Sequence, residues 1–433
     1  MIDYQARRDS LFQCMHDNSL AVISSATVQH RNGDAEHLFR QDSYFSYLTG
    51  FEESFAVAVF LKVNQKTHYI LFCQDKNPEK ERWTGHRMGV LGAQSELGAD
   101  HAYPIAEAGI KLPQLFKGVQ TLYYLVGAHP AFEAKLFSWV QSLRQMQRQG
   151  IAPPEKYIDL RVILDESRLI KDKSEIACMR KAAEITMNGH RRAMLKAKPG
   201  LYEYHLEAEL QYAFYQGGSR SPAYNSIVAA GANACILHYV NNNCELKNND
   251  LVLIDAGAEY QNYAADVTRT FPVNGQFSSA QQAIYELVLA SQLKAIEMIK
   301  PGVPWGDLQT NIVEVLVTGL VDLGVLTGDV DGLIEREAYK PFYMHNSGHW
   351  LGLDVHDTGA YKIKGEWRPL KENMVLTVEP GIYIDQDNES VPEKWRGIGV
   401  RIEDDVVVTD VGSEVLTDAL PKSVNEIQQF MQS

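Results

Sequence analysis

Two long stretches of the chain carry apolar residues at helical spacing, and both end at the same tripeptide. SEIACMRKAAEITMNGHRRAMLKA (174–197) runs into Lys198-Pro199-Gly200, and SSAQQAIYELVLASQLKAIEMI (278–299) runs into Lys300-Pro301-Gly302. Proline cannot continue a helix, so each tripeptide predicts a stop. The likeness continues past the stops. Leu206 aligns with Leu308, Leu210 with Ile312 and Phe214 with Leu316, all at the spacing of one buried helix face. This register predicts a duplicated helix–helix–sheet unit, hence a C-terminal domain of two related halves with room for a site between them.

The first 160 residues have a different texture. AVISSATV (21–28), FAVAVFLKV (55–63) and THYILFC (67–73) read as short strands. Helical stretches such as AFEAKLFSWVQSLRQMQRQG (131–150) lie among and after them, which predicts an α/β domain. The paired prolines of IAPPEK (151–156) predict a linker. The expected domains are therefore 1–165 and 166–433; 433 residues are too many for one compact core and fit two or three domains.

Within the second domain, LVLIDAGAEYQNYAADVTRTFPV (251–273) places two β-like runs about a polar centre. With Tyr260-Gln261 as the turn, a two-residue hairpin pairs 259 with 262 and 255 with 266. Asp255 and Asp266 would then face each other ~5 Å apart, a repulsion that needs a proton, a basic neighbour or a metal to offset it. Slippage of the register, with both side chains in water, is the plainer alternative. NMVLTVEPGIYI (373–384) alternates and carries Glu379; GVRIEDDVVVT (399–409) alternates and carries Glu403 with Arg401 two residues away. An Arg–Glu pair on a wet face is the plain reading of the latter.

HNSGHWLGLDVHD (345–357) concentrates three of the 13 histidines, His345, His349 and His356. A lone histidine is ordinarily a hydrogen-bonded surface or core residue, but here strand carboxylates accompany the group. Four carboxylates and one imidazole suit Mn²⁺ or Zn²⁺ rather than Cu⁺ or an iron–sulfur cluster. Five ligands exceed one tetrahedral zinc and match two ions ~3.5–4 Å apart.

Composition narrows the rest. Apolar residues make up 45 % and charged residues 22 %, an ordinary globular balance. A net charge of −14 gives no general attraction for nucleic acid or anionic membrane. The five cysteines are odd in number and scattered, against a disulfide framework or thiolate zinc site and for a reducing compartment. No apolar run approaches the ~20 residues of a membrane span, and the opening MIDYQARRDSLFQCM lacks a signal-peptide core. A cytoplasmic protein is expected.

The order Asp255, Asp266, His349, Glu379, Glu403, with the flanks IDAGAEYQNYAADVTRTFPV, MHNSGHWLGLDVHDTG, LTVEPGIYI and WRGIGVRIEDDVVVT, resembles the dinuclear pita-bread metallopeptidases. The tryptophan in HWLGLDVHD and the segment FRQDSYFSYLTGF (39–51) are similar to bacterial aminopeptidase P more than to prolidase. The resemblance spans essentially the whole chain. It implies an α/β N-terminal domain that builds an oligomer or gates substrate, ahead of an α+β pita-bread catalytic domain with an internal pseudo-twofold repeat. It implies two divalent ions, Mn²⁺ first and Zn²⁺ or Co²⁺ as alternatives, with Asp255 on one, His349 and Glu379 on the other, and Asp266 and Glu403 bridging. It implies hydrolysis of the N-terminal Xaa-Pro bond of peptides, with Glu379 passing the proton, His238 and His356 contacting substrate and steadying the tetrahedral intermediate, and His345 lining the pocket. Tyr224, Trp350 and Tyr383 are candidate walls for the proline ring, Arg401 a further residue of the substrate site, and Trp83 a residue that reaches a neighbouring subunit in a homodimer or homotetramer. Prolidase, acting on dipeptides alone, is the nearest alternative; a metal-free pita-bread binding module is the alternative from another class. One departure stands out: Asn346 follows the first histidine of the stretch, where the family usually has Gly, a substitution that tolerates left-handed backbone.

Overall fold

A computed structural model describes residues 2–433, which separate into two compact units, residues 2–168 and Leu169–Ser433. The N-terminal unit is built on a six-stranded mixed sheet in the order His101–Pro104, Lys66–Cys73, Val57–Val63, Ser19–Ser24, Thr121–Tyr124, Lys156–Asp159. The three strands expected near residues 21, 57 and 67 are its centre. Their alternate apolar residues, Leu20, Val22, Val57, Val59, Ile70 and Phe72, pack against the helix Pro130–Arg144 through Leu136, Val140 and Leu143. The linker expected at 151–156 is a correction. That segment leads straight into the sheet's edge strand, with Lys156 N–H bonded to Gln120 O, and the chain crosses between units only at residues 168–169.

The C-terminal unit contains the repeat. Helices Lys173–Lys196 and Glu203–Gln216 form one pair, and helices Ser279–Met298 and Trp305–Asp322 form the other. Leu206, Leu210 and Phe214 share one core with Leu308, Ile312 and Leu316. The backbone bonds around the two KPG turns repeat as well. Gly200 N–H donates to Leu246 O and Gly302 N–H to Leu370 O; Glu203 N–H donates to Cys244 O and Trp305 N–H to Arg368 O. Both glycines sit at positive φ, +87° and +90°, where a Cβ would be strained.

The helix pairs pack against two small sheets. One has the order Thr268–Pro272, Leu251–Asp255, Ile227–Ala230; the other has the order Val375–Val378, Asp404–Val408, Ser413–Val415. A single bridge between Thr268 and Glu403 joins them, and the hairpin Gly381–Ile384 with Ile398–Arg401 continues the floor. Behind that junction a buried ion pair, Arg269 to Asp404 at 2.7 Å, closes the layer. Among the described residues, no helix is long and apolar enough to cross a membrane.

Candidate metal centre and catalytic cavity

The expected hairpin exists, but two residues out of register. Glu259 pairs with Ala264, Tyr260 with Tyr263, and Asp255 with Thr268 rather than Asp266. The turn is Gln261-Asn262, both at positive φ, as a type I′ turn demands. A shift of two preserves the face on which a side chain lies, so Asp255 and Asp266 still point the same way as diagonal neighbours. Gly257 allows the hairpin to close, because a Cβ there would lie 1.7 Å from Ala265 O. Gly348 does the same for the histidine loop, where a Cβ would lie 2.1 Å from Thr377 O. That loop is stitched along the strand Val375–Val378: Thr377 N–H donates to His349 O and Glu379 N–H to Ser347 O. Asn346 is not among the described residues with left-handed backbone, so its replacement of Gly puts no strain on the loop.

These strands and the loop bring Asp255, Asp266, His349, Glu379 and Glu403 to the wall of one cavity of about 700 Å³, with Arg401, His238, His345 and His356 around them. His349 Nε2 lies 3.3 Å from Asp266 Oδ2 and 3.8 Å from Glu379 Oε1. Asp266, His349 and Glu403 each offer a ligand atom within 4.8 Å of the others. His349 Nδ1 bonds the carbonyl of Trp350 at 3.0 Å, which aims Nε2 at the carboxylates, where it would ligate a cation that displaces its proton.

Charge makes the same point. Burial pushes Glu379 up to about 8, with Asp266 and Asp255 adding to it against His349 and Arg401. Burial also drives Glu403 well above the carboxylate range, helped by Asp266, Glu379 and Asp255, and raises Asp255 despite Arg401. Burial opposes the ionisation of Asp266, yet the His349 hydrogen bond and charge hold it low; in return, against its own desolvation, His349 rises to about 9. Four carboxylates thus crowd a buried space and compete for one imidazolium and one guanidinium. Divalent cations fit this donor set, because they supply the missing positive charge where protons otherwise must.

The surrounding groups are held firmly. Tyr224 O–H lies 2.6 Å from Asp255 Oδ1 and 2.5 Å from Asp266 Oδ1, tying the two aspartates together. Thr268 donates to Glu403 Oε2 at 2.7 Å. Arg401 reaches Asp255 Oδ2 at 2.6 Å, Tyr383 Oη at 3.0 Å and Thr268 Oγ1 at 3.2 Å. Asp405, buried behind the cluster, accepts the N–H of Asp266. Burial, with Arg401 next, pulls His345 down to about 4, and its Nε2 meets Tyr383 Oη at 2.8 Å. Burial and the neighbouring His349 also lower His356, whose ring stands 4.4 Å from that of His349.

Three expected wall residues sit elsewhere. Trp350 is fully buried, packed on Trp305 and Tyr361 rather than open to the cavity. Tyr224 and Tyr383 are committed to the aspartates and to Arg401 and His345. Aromatic rings that do line the cavity are Trp305, Tyr361 and Trp367, which the sequence did not single out. Trp83 lies in the N-terminal unit on the helix Pro78–Thr84, 89 % exposed. Sequence reasoning also missed Gln309, whose Oε1 accepts both the N–H and O–H of Ser347 and so braces the histidine loop. Residues 38 apart carry no pairing signal of their own.

Comparison with known proteins follows the same lines. The sequence model of metallopeptidase family M24 matches residues 177–410, and that of the aminopeptidase P N-terminal domain matches residues 4–123. The chain is 45 % identical to the Xaa-Pro aminopeptidase of Escherichia coli K12 over 99 % of its own length and 97 % of that protein's. It is 33 % identical to human Xaa-Pro aminopeptidase 3, covering 99 % of this chain and 85 % of that one. Among solved structures, Pseudomonas aeruginosa aminopeptidase PepP superposes with a TM-score of 0.98 at 52 % identity, covering 99 % and 97 % of the two chains. A zinc-substituted E. coli aminopeptidase P in complex with product superposes with a TM-score of 0.97 at 45 % identity, covering 99 % and 97 %.

Proposed function

The chain belongs to metallopeptidase family M24, and we propose that it works there through a dinuclear centre held by Asp255, Asp266, His349, Glu379 and Glu403. It is a metal-dependent hydrolase, an Xaa-Pro aminopeptidase that releases the N-terminal residue of peptides with proline second, on an aminopeptidase P N-terminal domain and a pita-bread catalytic domain. The observation that carries the dinuclear reading is the excess of buried negative charge. Four carboxylates share the wall with one ligand-ready imidazole, and each of three is driven toward protonation by burial and by the others.

Asp255 and the pair His349 and Glu379 would hold one ion each, with Asp266 and Glu403 shared between them. Bound divalent cations supply Lewis acidity and a hydrolytic water acidified toward neutral pH. The chain does the rest. Tyr224 and Arg401 keep Asp255 and Asp266 aimed inward. Glu379 takes the proton at its carboxylate and delivers it to the departing proline nitrogen. Burial, with His349 next, favours the neutral form of His356, whose imidazole can donate one hydrogen bond to the developing oxyanion, and His238, which lines the same cavity, is the second donor. His345, anchored on Tyr383, lines the same pocket. A proline nitrogen has no N–H, so the ring needs an apolar surface and no acceptor.

Oxygen donors outnumber nitrogen four to one, which favours Mn²⁺ over Zn²⁺ or Co²⁺ in use. The exposed Trp83 supports a homodimer or homotetramer in which the N-terminal domain, placed at 1–165, assembles the subunits or gates substrate. Five cysteines that form no disulfide support residence in the reducing cytoplasm, and the acidic charge supports peptides rather than nucleic acid as partners. Calorimetric titration of chelator-stripped protein with Mn²⁺ tests the centre. Two equivalents in wild type and loss of at least one in Glu379→Ala are expected; a single equivalent in wild type overturns the dinuclear reading.

A further inference from the structure

We propose that Glu203 is a positioning residue that sets how far the loop bearing Leu237 and His238 reaches into the catalytic cavity. The proposal rests on the reading of His238 as a substrate contact.

Segment 231–246 leaves the strand Ile227–Ala230 and returns to pair with residues 200–203. Gly200 N–H donates to Leu246 O at 2.9 Å, Leu246 N–H to Leu201 O at 2.7 Å and Glu203 N–H to Cys244 O at 2.9 Å. The tip is open, with Ile236 54 % and Val240 49 % exposed, yet Leu237 and His238 between them line the cavity. Turn bonds within the tip and Asn242, whose side chain pairs with Val228 N–H and Ser226 O, hold parts of the segment separately, but neither joins the tip to both legs.

One carboxylate joins the tip to both legs. Glu203 is fully buried, and both of its oxygens are filled. Oε1 accepts Ala230 N–H at 2.8 Å and Asn233 Nδ2–H at 3.0 Å. Oε2 accepts Tyr239 O–H at 2.8 Å and Cys244 N–H at 2.9 Å. The four donors come from the outgoing leg, the short turn Gly231–Cys235, the residue next to His238, and the returning leg. All four are uncharged, so the group is not there to neutralise a cation. It accepts at every position, which a carboxylate does and an amide cannot. Tyr239 in turn packs with Leu253 and Tyr383, and Tyr383 Oη touches His345 and Arg401, so the clamp is continuous with the catalytic wall. In the second half of the repeat the equivalent residue is Trp305. It makes the same backbone bond but turns its ring to the cavity, so the acidic clamp is a feature of the half that carries His238.

The test is a double-mutant cycle on metal-loaded enzyme with an Xaa-Pro-Xaa tripeptide, reading kcat, KM and bound metal separately. Glu203→Gln turns an N–H₂ against a backbone N–H, and kcat is expected to fall about tenfold with metal content unchanged. In a His238→Ala background the same substitution should cost less than about twofold, because the residue it positions is gone. If Glu203→Gln fails to fold, Tyr239→Phe carries the cycle; it removes one bond without adding a donor and should cost about threefold, again only when His238 is present. Equal losses with and without His238, an unchanged kcat in the folded variant, or a His238→Ala enzyme at wild-type rate would each overturn the proposal. Failure of the unsubstituted enzyme to cleave the tripeptide strikes instead at the aminopeptidase assignment, so the two failures are told apart.

Discussion

Arg269→Met should destabilise the catalytic unit more than any surface ion-pair deletion. Arg269 and Asp404 have no exposed side-chain surface, and the guanidinium has five acceptors. It reaches Asp404 Oδ1 and Glu403 O at 2.7 Å, Thr268 O at 3.0 Å, Pro421 O at 3.2 Å and Leu420 O at 3.5 Å. Asp404 retains Lys422 at 3.1 Å, Gln292 and Thr417, so its charge would be half compensated rather than stranded. Breaking one side of a buried pair costs about 3–5 kcal/mol, which for a unit of this size moves the melting temperature by roughly 10 °C. Because Glu403 neighbours Asp404 and bridges to Thr268, the same change should also weaken metal retention, by about tenfold or more. Thermal scans of wild type, Arg269→Met and the half-exposed control Arg192→Ala, which loses its pair with Glu209 and its contact with the Tyr212 ring, measure the difference. The control should move by less than about 2 °C. An Arg269→Met shift as small as the control's would refute the view that this pair holds the layer beneath the metal centre.

Two further perturbations separate loop positioning from general stability. Lys171 and Asp357 form a pair at 2.9 Å with 1 % of either side chain exposed, and Asp357 adjoins His356. Lys171→Met should lower kcat/KM about tenfold or more and cost about 3 kcal/mol, and adding Asp357→Leu should restore part of the stability but not the activity; full recovery of activity in the double variant would contradict a positioning role for the pair. His190 is fully buried with Nε2 on Ala256 O, and burial lowers it to about 4. Its unfolded form takes a proton near pH 6.5 and the folded form resists until about pH 4, so stability is full above that upper value. It falls by about 3 kcal/mol as pH drops through the window. Urea midpoints at pH 8 and pH 4.5 should differ less in His190→Gln than in wild type, and equal differences would remove His190 as the cause.

How much the sequence foretold depended on how local the signal was. The two helix pairs were legible because Leu206, Leu210 and Phe214 repeat as Leu308, Ile312 and Leu316, and a buried face leaves its period in the chain. The cavity cluster of four carboxylates and His349 was legible because carboxylates on strands and a histidine-rich loop are unusual company, and because their order and flanks match a known family. The hairpin register was misjudged at its turn. A type I′ turn needs positive φ at both centres, which Asn262 tolerates and Tyr260 does not, so Gln261-Asn262 was the better choice on physical grounds. Pro153 and Pro154 read as a linker, yet only two residues later the chain joins a sheet whose edge tolerates prolines beside it. What stayed hidden were pairings made by distant segments: Tyr224 across two aspartates, Gln309 on Ser347, and Glu203 within its loop. Their residue types are ordinary, and only the fold gives them partners.

The central claim is that this constellation cleaves an Xaa-Pro bond in a longer peptide. The most direct test is a side-by-side assay, with Mn²⁺ added, of a tripeptide with proline second and the matching Xaa-Pro dipeptide, using wild type and Glu379→Ala. Wild type should release the N-terminal residue of the tripeptide, and Glu379→Ala, lacking both a ligand and the proton acceptor, should lose at least about a thousandfold in rate. Cleavage of the dipeptide alone, or an undiminished rate in Glu379→Ala, would contradict the account.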